Sequence, residues 1–214
     1  MAFGEVGTSL SKVKANSLNL AGTFGFSGTV SGLADETPLV LISTFTSDGS
    51  DDTATFASGI NSTYKEYLFV FNSIHPQTDE KDLQVGFRDG GSDYDAVKTT
   101  TYFDAIHDEA DSSTALQYTA SLDKAQSTGF QTILRFIGND NDQSASGIMR
   151  LYNPSSTTFV KHFVAMGSSV TGGDYMNNHY VAGYCNTTTA IDGVQFKFNS
   201  GQIQGGTIDL FGVV

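Results

Sequence analysis

The chain has 214 residues, of which 39% are hydrophobic and only 16% charged, with 23 glycines, 16 phenylalanines, nine tyrosines and no tryptophan. Its 23 acidic and 11 basic residues leave a net charge of −12, which repels nucleic-acid phosphates and anionic membrane surfaces; no Lys/Arg cluster offers a local exception. A single cysteine excludes an intrachain disulfide, and no apolar run approaches the roughly 20 residues that span a bilayer as a helix.

In chain order, residues 1–37 stand apart. MAFGEVGTSLSK lacks the basic and apolar regions of a signal peptide, so synthesis in a reducing cytosol without cleavage of a leader is expected. The segment NLAGTFGFSGTVSG (19–32) places four glycines in fourteen residues, which disfavours helix. Its apolar residues alternate with small ones, as in extended structure. The expectation is an extended Gly/Thr/Ser-rich arm over 1–37. Leu18, Leu20, Phe24, Phe26 and Val30 would be its docking residues, because alone they cannot bury enough surface to offset the entropy of ordering.

From residue 38 short strand patterns follow one another, separated by Gly/Asn/Asp/Ser turns. PLVLISTFT (38–46), TATFAS (53–58), KEYLFVFNSI (65–74), DLQVGFRD (82–89), FQTILRFI (130–137), GIMRLYN (147–153), FVKHFVAM (159–166), VQFKF (194–198) and GTIDLFGVV (206–214) read as strands. KEYLFVFNSI is apolar on both faces and so belongs inside a sheet. VQFKF places Val194, Phe196 and Phe198 on one face. Only ALQYTASLDKAQ (115–126) could hold a helical turn. The fold class is therefore all-β: an antiparallel, jelly-roll-like β-sandwich over 38–214, preceded by the arm.

Motifs for chemistry are sparse. HDEAD (107–111) puts an imidazole beside three carboxylates, but His107 and Asp108 point to opposite faces of a strand, and the segment reads as a solvated acidic loop. SDGSDD (47–52) and GNDNDQSAS (138–146) lack the glycine and glutamate that a calcium loop needs at positions six and twelve, so they read as turns. No nucleophile elbow, zinc helix or phosphate loop occurs. Cys185 reads as a small buried hydrophobe. No catalytic residue, metal ligand or cofactor is expected, and enzyme is the minority reading.

Two tyrosine-bearing segments, GSDYDAVKTTTYF (91–103) and GGDYMNNHY (172–180), read as loops. Their Tyr94, Tyr102, Tyr175, His179 and Tyr180 could contact a glycan by ring stacking and hydrogen bonding, or could simply anchor the loops to the sandwich.

Three blocks carry a resemblance: SGINSTYKEYLFVFNSIHPQTDEKDLQVGFRDGGSDYD, LYNPSSTTFVKHFVA and FKFNSGQIQGGTIDLFGVV. The region 38–214 that contains them resembles a family of small virion proteins of marine tailed bacteriophages, and GTFGFSGTVSG is similar to repeats near the attachment ends of phage tail fibres. The resemblance implies a structural or adhesive virion part without catalytic residues, made in the host cytoplasm and released on lysis. The leading expectation is a tail-fibre or receptor-binding subunit. It would be held to other virion proteins by the arm, would form a homo-oligomer (a trimer as the first guess), and would face a host surface glycan. A capsid decoration (cement) protein is the alternative. A carbohydrate-binding module or sandwich-fold glycan hydrolase is a further one.

Overall fold

The computed structural model describes residues 38–214; the arm residues Leu18, Leu20, Phe24, Phe26 and Val30 lie outside them. Twelve strands follow in order: β1 (Leu39–Thr46), β2 (Ala54–Phe56), β3 (Glu66–Pro76), β4 (Lys81–Arg88), β5 (Lys98–Asp108), β6 (Thr114–Tyr118), β7 (Gln131–Ile137), β8 (Ala145–Tyr152), β9 (Lys161–Val170), β10 (Tyr175–Cys185), β11 (Gly193–Phe198) and β12 (Ile203–Val213). They form an antiparallel β-sandwich. Eight strands make the larger sheet in the order β1-β12-β3-β8-β9-β10-β5-β6, and four make the smaller in the order β2-β11-β4-β7. Each strand of the smaller sheet is preceded and followed in the chain by one of the larger.

The core lies between the sheets and is aromatic at its centre. Phe196 of β11 meets Phe69 and Phe71 of β3 edge-on at 5.3 and 5.1 Å between ring centres, and Phe56 of β2 at 6.1 Å. Phe87 of β4 faces Phe163 of β9 at 4.7 Å. Edge-to-face contacts of this kind add to area burial, so the alternating pattern of VQFKF becomes the seam that joins the sheets. As its pattern implies, Val194, Phe196 and Phe198 are buried and Gln195 and Lys197 are not.

β3 is an interior strand, between β12 and β8. Its alternation breaks at Ser73, where φ is 49°, and the pairing with both neighbours slips there. This bulge lets Phe71 and Ile74, three residues apart, both turn inward. Opposite it, Gly206 has φ +101°, and a Cβ at that position would sit 2.5 Å from the Ser73 carbonyl oxygen. Only glycine fits there.

Segment 115–126 holds the helical turn that its sequence allows, a single 3-10 turn at Ala120–Leu122 after β6, the one helical turn among the described residues. One expectation is corrected. Most of the two tyrosine-bearing "loops" is strand: 98–103 opens β5 and 175–180 opens β10, and the two strands pair from Tyr175↔Asp108 to Cys185↔Lys98. Polar residues on both faces hid the alternation: Thr99, Thr100 and Thr101 in one strand, Asn177 and Asn178 in the other.

Candidate functional site

Because β5 and β10 are strands, the five residues singled out for glycan contact are sorted by parity onto different surfaces. Tyr102 and His179 point inward and are 0% exposed, so they cannot touch a receptor. The Tyr102 hydroxyl is hydrogen-bonded to His179 Nδ1 at 2.7 Å. Ser169 Oγ donates to the Arg135 carbonyl at 2.9 Å and lies 2.9 Å from His179 Nε2, which the Arg135 N–H also approaches at 3.5 Å. Burial, then the nearby Arg135 charge, hold the His179 pKa down to about 3, so the imidazole is neutral. A serine hydroxyl beside a histidine invites comparison with a nucleophile and its base, but Ser169 is itself buried and its proton is committed to a backbone carbonyl.

Tyr180 points the other way. On the outer face of the larger sheet its ring stacks on Phe103 of β5, with centroids 5.0 Å apart and planes within 8°. Register places Ile148, Met166, Tyr180, Phe103 and Tyr118 in one row across β8, β9, β10, β5 and β6. Val164, Met176 and Leu116 lie on the same face in nearby rows, and all three are exposed. The outward positions of β9, β10 and β5 hold no Asp or Glu, in a chain with 23 of them. The row itself carries no charge, and the nearest outward charge on β8 is Arg150, paired with Glu66.

Tyr175 lines a third surface. The smaller sheet ends at β7, and the larger sheet continues past it with β5 and β6. Their inner side therefore floors a cleft of about 240 Å3 walled by Tyr175 of β10 and Phe136 of β7. Asp104, Asn177 and Gln117 occupy inner-face positions of β5, β10 and β6, with Asp104 directly opposite Gln117. Both carboxylate oxygens of Asp104 and Oδ1 of Asn177 are buried without a protein hydrogen-bond partner, and they are the only such side-chain atoms among the described residues. Burial raises the Asp104 pKa, while the Arg135 charge and the approach of Gln117 and Thr119 oppose that rise. None of these neighbours forms an aligned hydrogen bond or an ion pair with it.

Phe136 completes the cleft by an unusual backbone. Its φ of 54° is rare for an aromatic residue, and the β4–β7 register slips beside it. Asp82 holds the strained turn by accepting the Phe136 N–H at 3.0 Å. The Arg135 guanidinium lies 3.9 Å from the centre of the Phe136 ring.

Tyr94 lies elsewhere, with Arg88 5.7 Å over its ring. His107 and Asp108 end β5, and the Asp108 carboxylate accepts the N–H groups of Ser112 and Ser113, each at 2.8 Å, so HDEAD is a self-bonded strand end and turn. No group of three or more His, Cys, Asp or Glu side chains converges to hold a metal among the described residues. Cys185 is buried, as its setting implies, with its thiol pushed up to about 12 chiefly by burial. Register puts the buried Lys161 and Lys98 on either side of it. Lys161 Nζ donates to the Thr187 carbonyl at 2.9 Å, and Lys98 Nζ to that of Gly129 at 3.0 Å.

Asp104, Asn177, Gln117 and Phe136 were not singled out from the sequence. The available signal was parity: once 98–108 is read as a strand, Asp104 falls on the face of Tyr102. In comparisons with family models, curated proteins and solved structures, nothing matches this chain.

Proposed function

We propose that the chain is a non-enzymatic virion structural protein of a tailed bacteriophage, a tail-fibre or receptor-binding subunit that works as a homo-oligomer. The three sequence blocks that resemble phage virion proteins support the setting. The observation that carries the assembly is the uncharged row Ile148–Met166–Tyr180–Phe103–Tyr118 on the outer face of the larger sheet. Copies that each carry −12 repel one another over most of their surface and approach best where carboxylates are absent. Five strands about 4.8 Å apart and about nine residues long present roughly 700 Å2. That is close to the roughly 800 Å2 per partner of an ordinary stable interface. The occupant is a second copy of this chain, with threefold closure as the arrangement to test first.

Sedimentation of the full chain, wild type against Met166→Glu and Val164→Glu, tests this. Wild type sediments as an oligomer and both variants as folded monomers; a monomeric wild type, or variants that still assemble, overturns the assembly. Antibody against 38–214 in electron micrographs of particles decides the position. Label at the tail supports attachment, whereas label spread over the shell replaces it with capsid decoration.

A further inference from the structure

We propose that the cleft between β5, β6 and β7 binds a pyranose sugar, gripped from below by the Asp104 carboxylate and the Asn177 and Gln117 amides and stacked against Tyr175 and Phe136. This names a ligand class for the receptor-binding role above and rests on that reading only for its setting. Sugar binding by a chain that stays monomeric, or assembly by a chain that binds no sugar, separates the two.

The chemistry of the floor comes first. Three buried acceptor oxygens, two on Asp104 and one on Asn177, lack a donor from the protein. Native structures rarely leave such atoms unpaired, and an ionised carboxylate is the costliest case. What the floor lacks is donors and not charge, because the Arg135 guanidinium already lies near enough to act on Asp104. A cationic ligand would meet that guanidinium, whereas a neutral one would not. Vicinal sugar hydroxyls supply two parallel donors to a carboxylate, and their oxygens accept in turn from amide N–H groups. Thr171 adds a further hydroxyl to the lining.

The walls fit the same ligand. Tyr175 and Phe136 line the cleft with aromatic side chains, and about 240 Å3 accommodates one sugar ring. Phe136 is 37% exposed on a left-handed backbone that Asp82 holds in place. Strain maintained by a buried partner marks a side chain whose direction matters. The rim residues Glu80, Gln117 and Gly173 are exposed and the floor is buried, so the cleft is reached from solvent.

The test is saturation-transfer NMR on the full chain with glucose, galactose, mannose and N-acetylglucosamine, each at about 10 mM, enough to populate a millimolar site. At least one sugar gives a difference signal with wild type. Asp104→Ala lowers that affinity about tenfold or more, the worth of hydrogen bonds to a charged acceptor. Gln117→Ala, at the exposed rim, and Tyr175→Ala lower it as well, and these two decide the matter if Asp104→Ala fails to fold. No signal from any of the four sugars overturns the proposal, as does a signal that all three variants retain. Binding of methylammonium in place of every sugar also overturns it, because the site would then select charge.

Discussion

The Tyr102 hydroxyl and His179 Nδ1 lie 2.7 Å apart in the core, on neighbouring strands and two residues out of register. The pair links β5 to β10, and Ser169 extends the link to β9. Because the folded His179 pKa is near 3, below the ordinary value of 6.5, the unfolded chain takes up the proton first. Stability from this group is complete above about pH 6.5 and is lost as the pH falls toward the folded value, by at most about 1.4 kcal/mol per pH unit. His179→Gln lowers stability at neutral pH and flattens the acid limb. Urea melts at a series of pH values check this, and parallel wild-type and variant curves would refute it.

Asp104 acts in the opposite sense. Its pKa is raised, so its contribution is greatest below the unfolded value of 3.8 and is lost as the pH climbs through the folded one. Both carboxylate oxygens are buried without a protein donor. Asp104→Asn is therefore expected to raise stability by about 1 kcal/mol, a rise of roughly 2–4 °C in Tm for a chain of this size. Calorimetry at neutral pH reads it. A lower Tm would mean that the carboxylate is satisfied within the protein.

Phe196 joins three other rings across the two sheets. Phe196→Ala should cost about 3–5 kcal/mol, the range for removing a buried aromatic side chain. Its neighbour Lys197, on the outer face over Phe130 at 4.3 Å, should cost less than about 1 kcal/mol when replaced by alanine. Denaturant midpoints for the two variants measure that contrast.

Gly206→Ala tests the bulge. Its positive φ and the 2.5 Å approach to the Ser73 carbonyl oxygen leave no room for a methyl group. A loss of about 2 kcal/mol or more is expected, well beyond the usual helical or surface glycine effect. Gly91, with φ +75° but open space around it, should show only the smaller conformational cost.

The Cys185 thiol, buried and held near 12, should not react with a thiol-specific chromogenic disulfide in the native protein. One equivalent should react in denaturant. Fast labelling of the native chain would place the thiol at a mobile edge.

Where side chains alternate by polarity, the sequence was sufficient to find the strands. VQFKF and DLQVGFRD each show which residues face the core. β5 and β10 escaped because buried polar residues, among them Thr100, Asp104, Asn177 and His179, interrupt the apolar face. Lys98 and Lys161 are buried against backbone carbonyls that no linear pattern reveals. The cleft was illegible for a related cause. Its floor comes from three strands and its wall from a fourth in the other sheet, and Phe136 looks like an ordinary core residue until its backbone turns it outward. Tyr175 alone connects the glycan-contact expectation to the cleft, and Tyr180 connects it to the outer face.

The first described strand pairs with the last. Leu39 lies opposite Val213, and the Val214 N–H donates to the Pro38 carbonyl at 3.1 Å. Tension applied between residues 38 and 214 would thus enter at one end of the β1–β12 ladder and open it pair by pair, like a zipper, with each bond taking the load alone. A pull between residue 38 and the β9–β10 turn would instead be shared across the rungs of several ladders at once. A chain tethered at residue 38 resists pulling best if the opposing contact lies on β9, β10 or β5, and worst if it lies at residue 214.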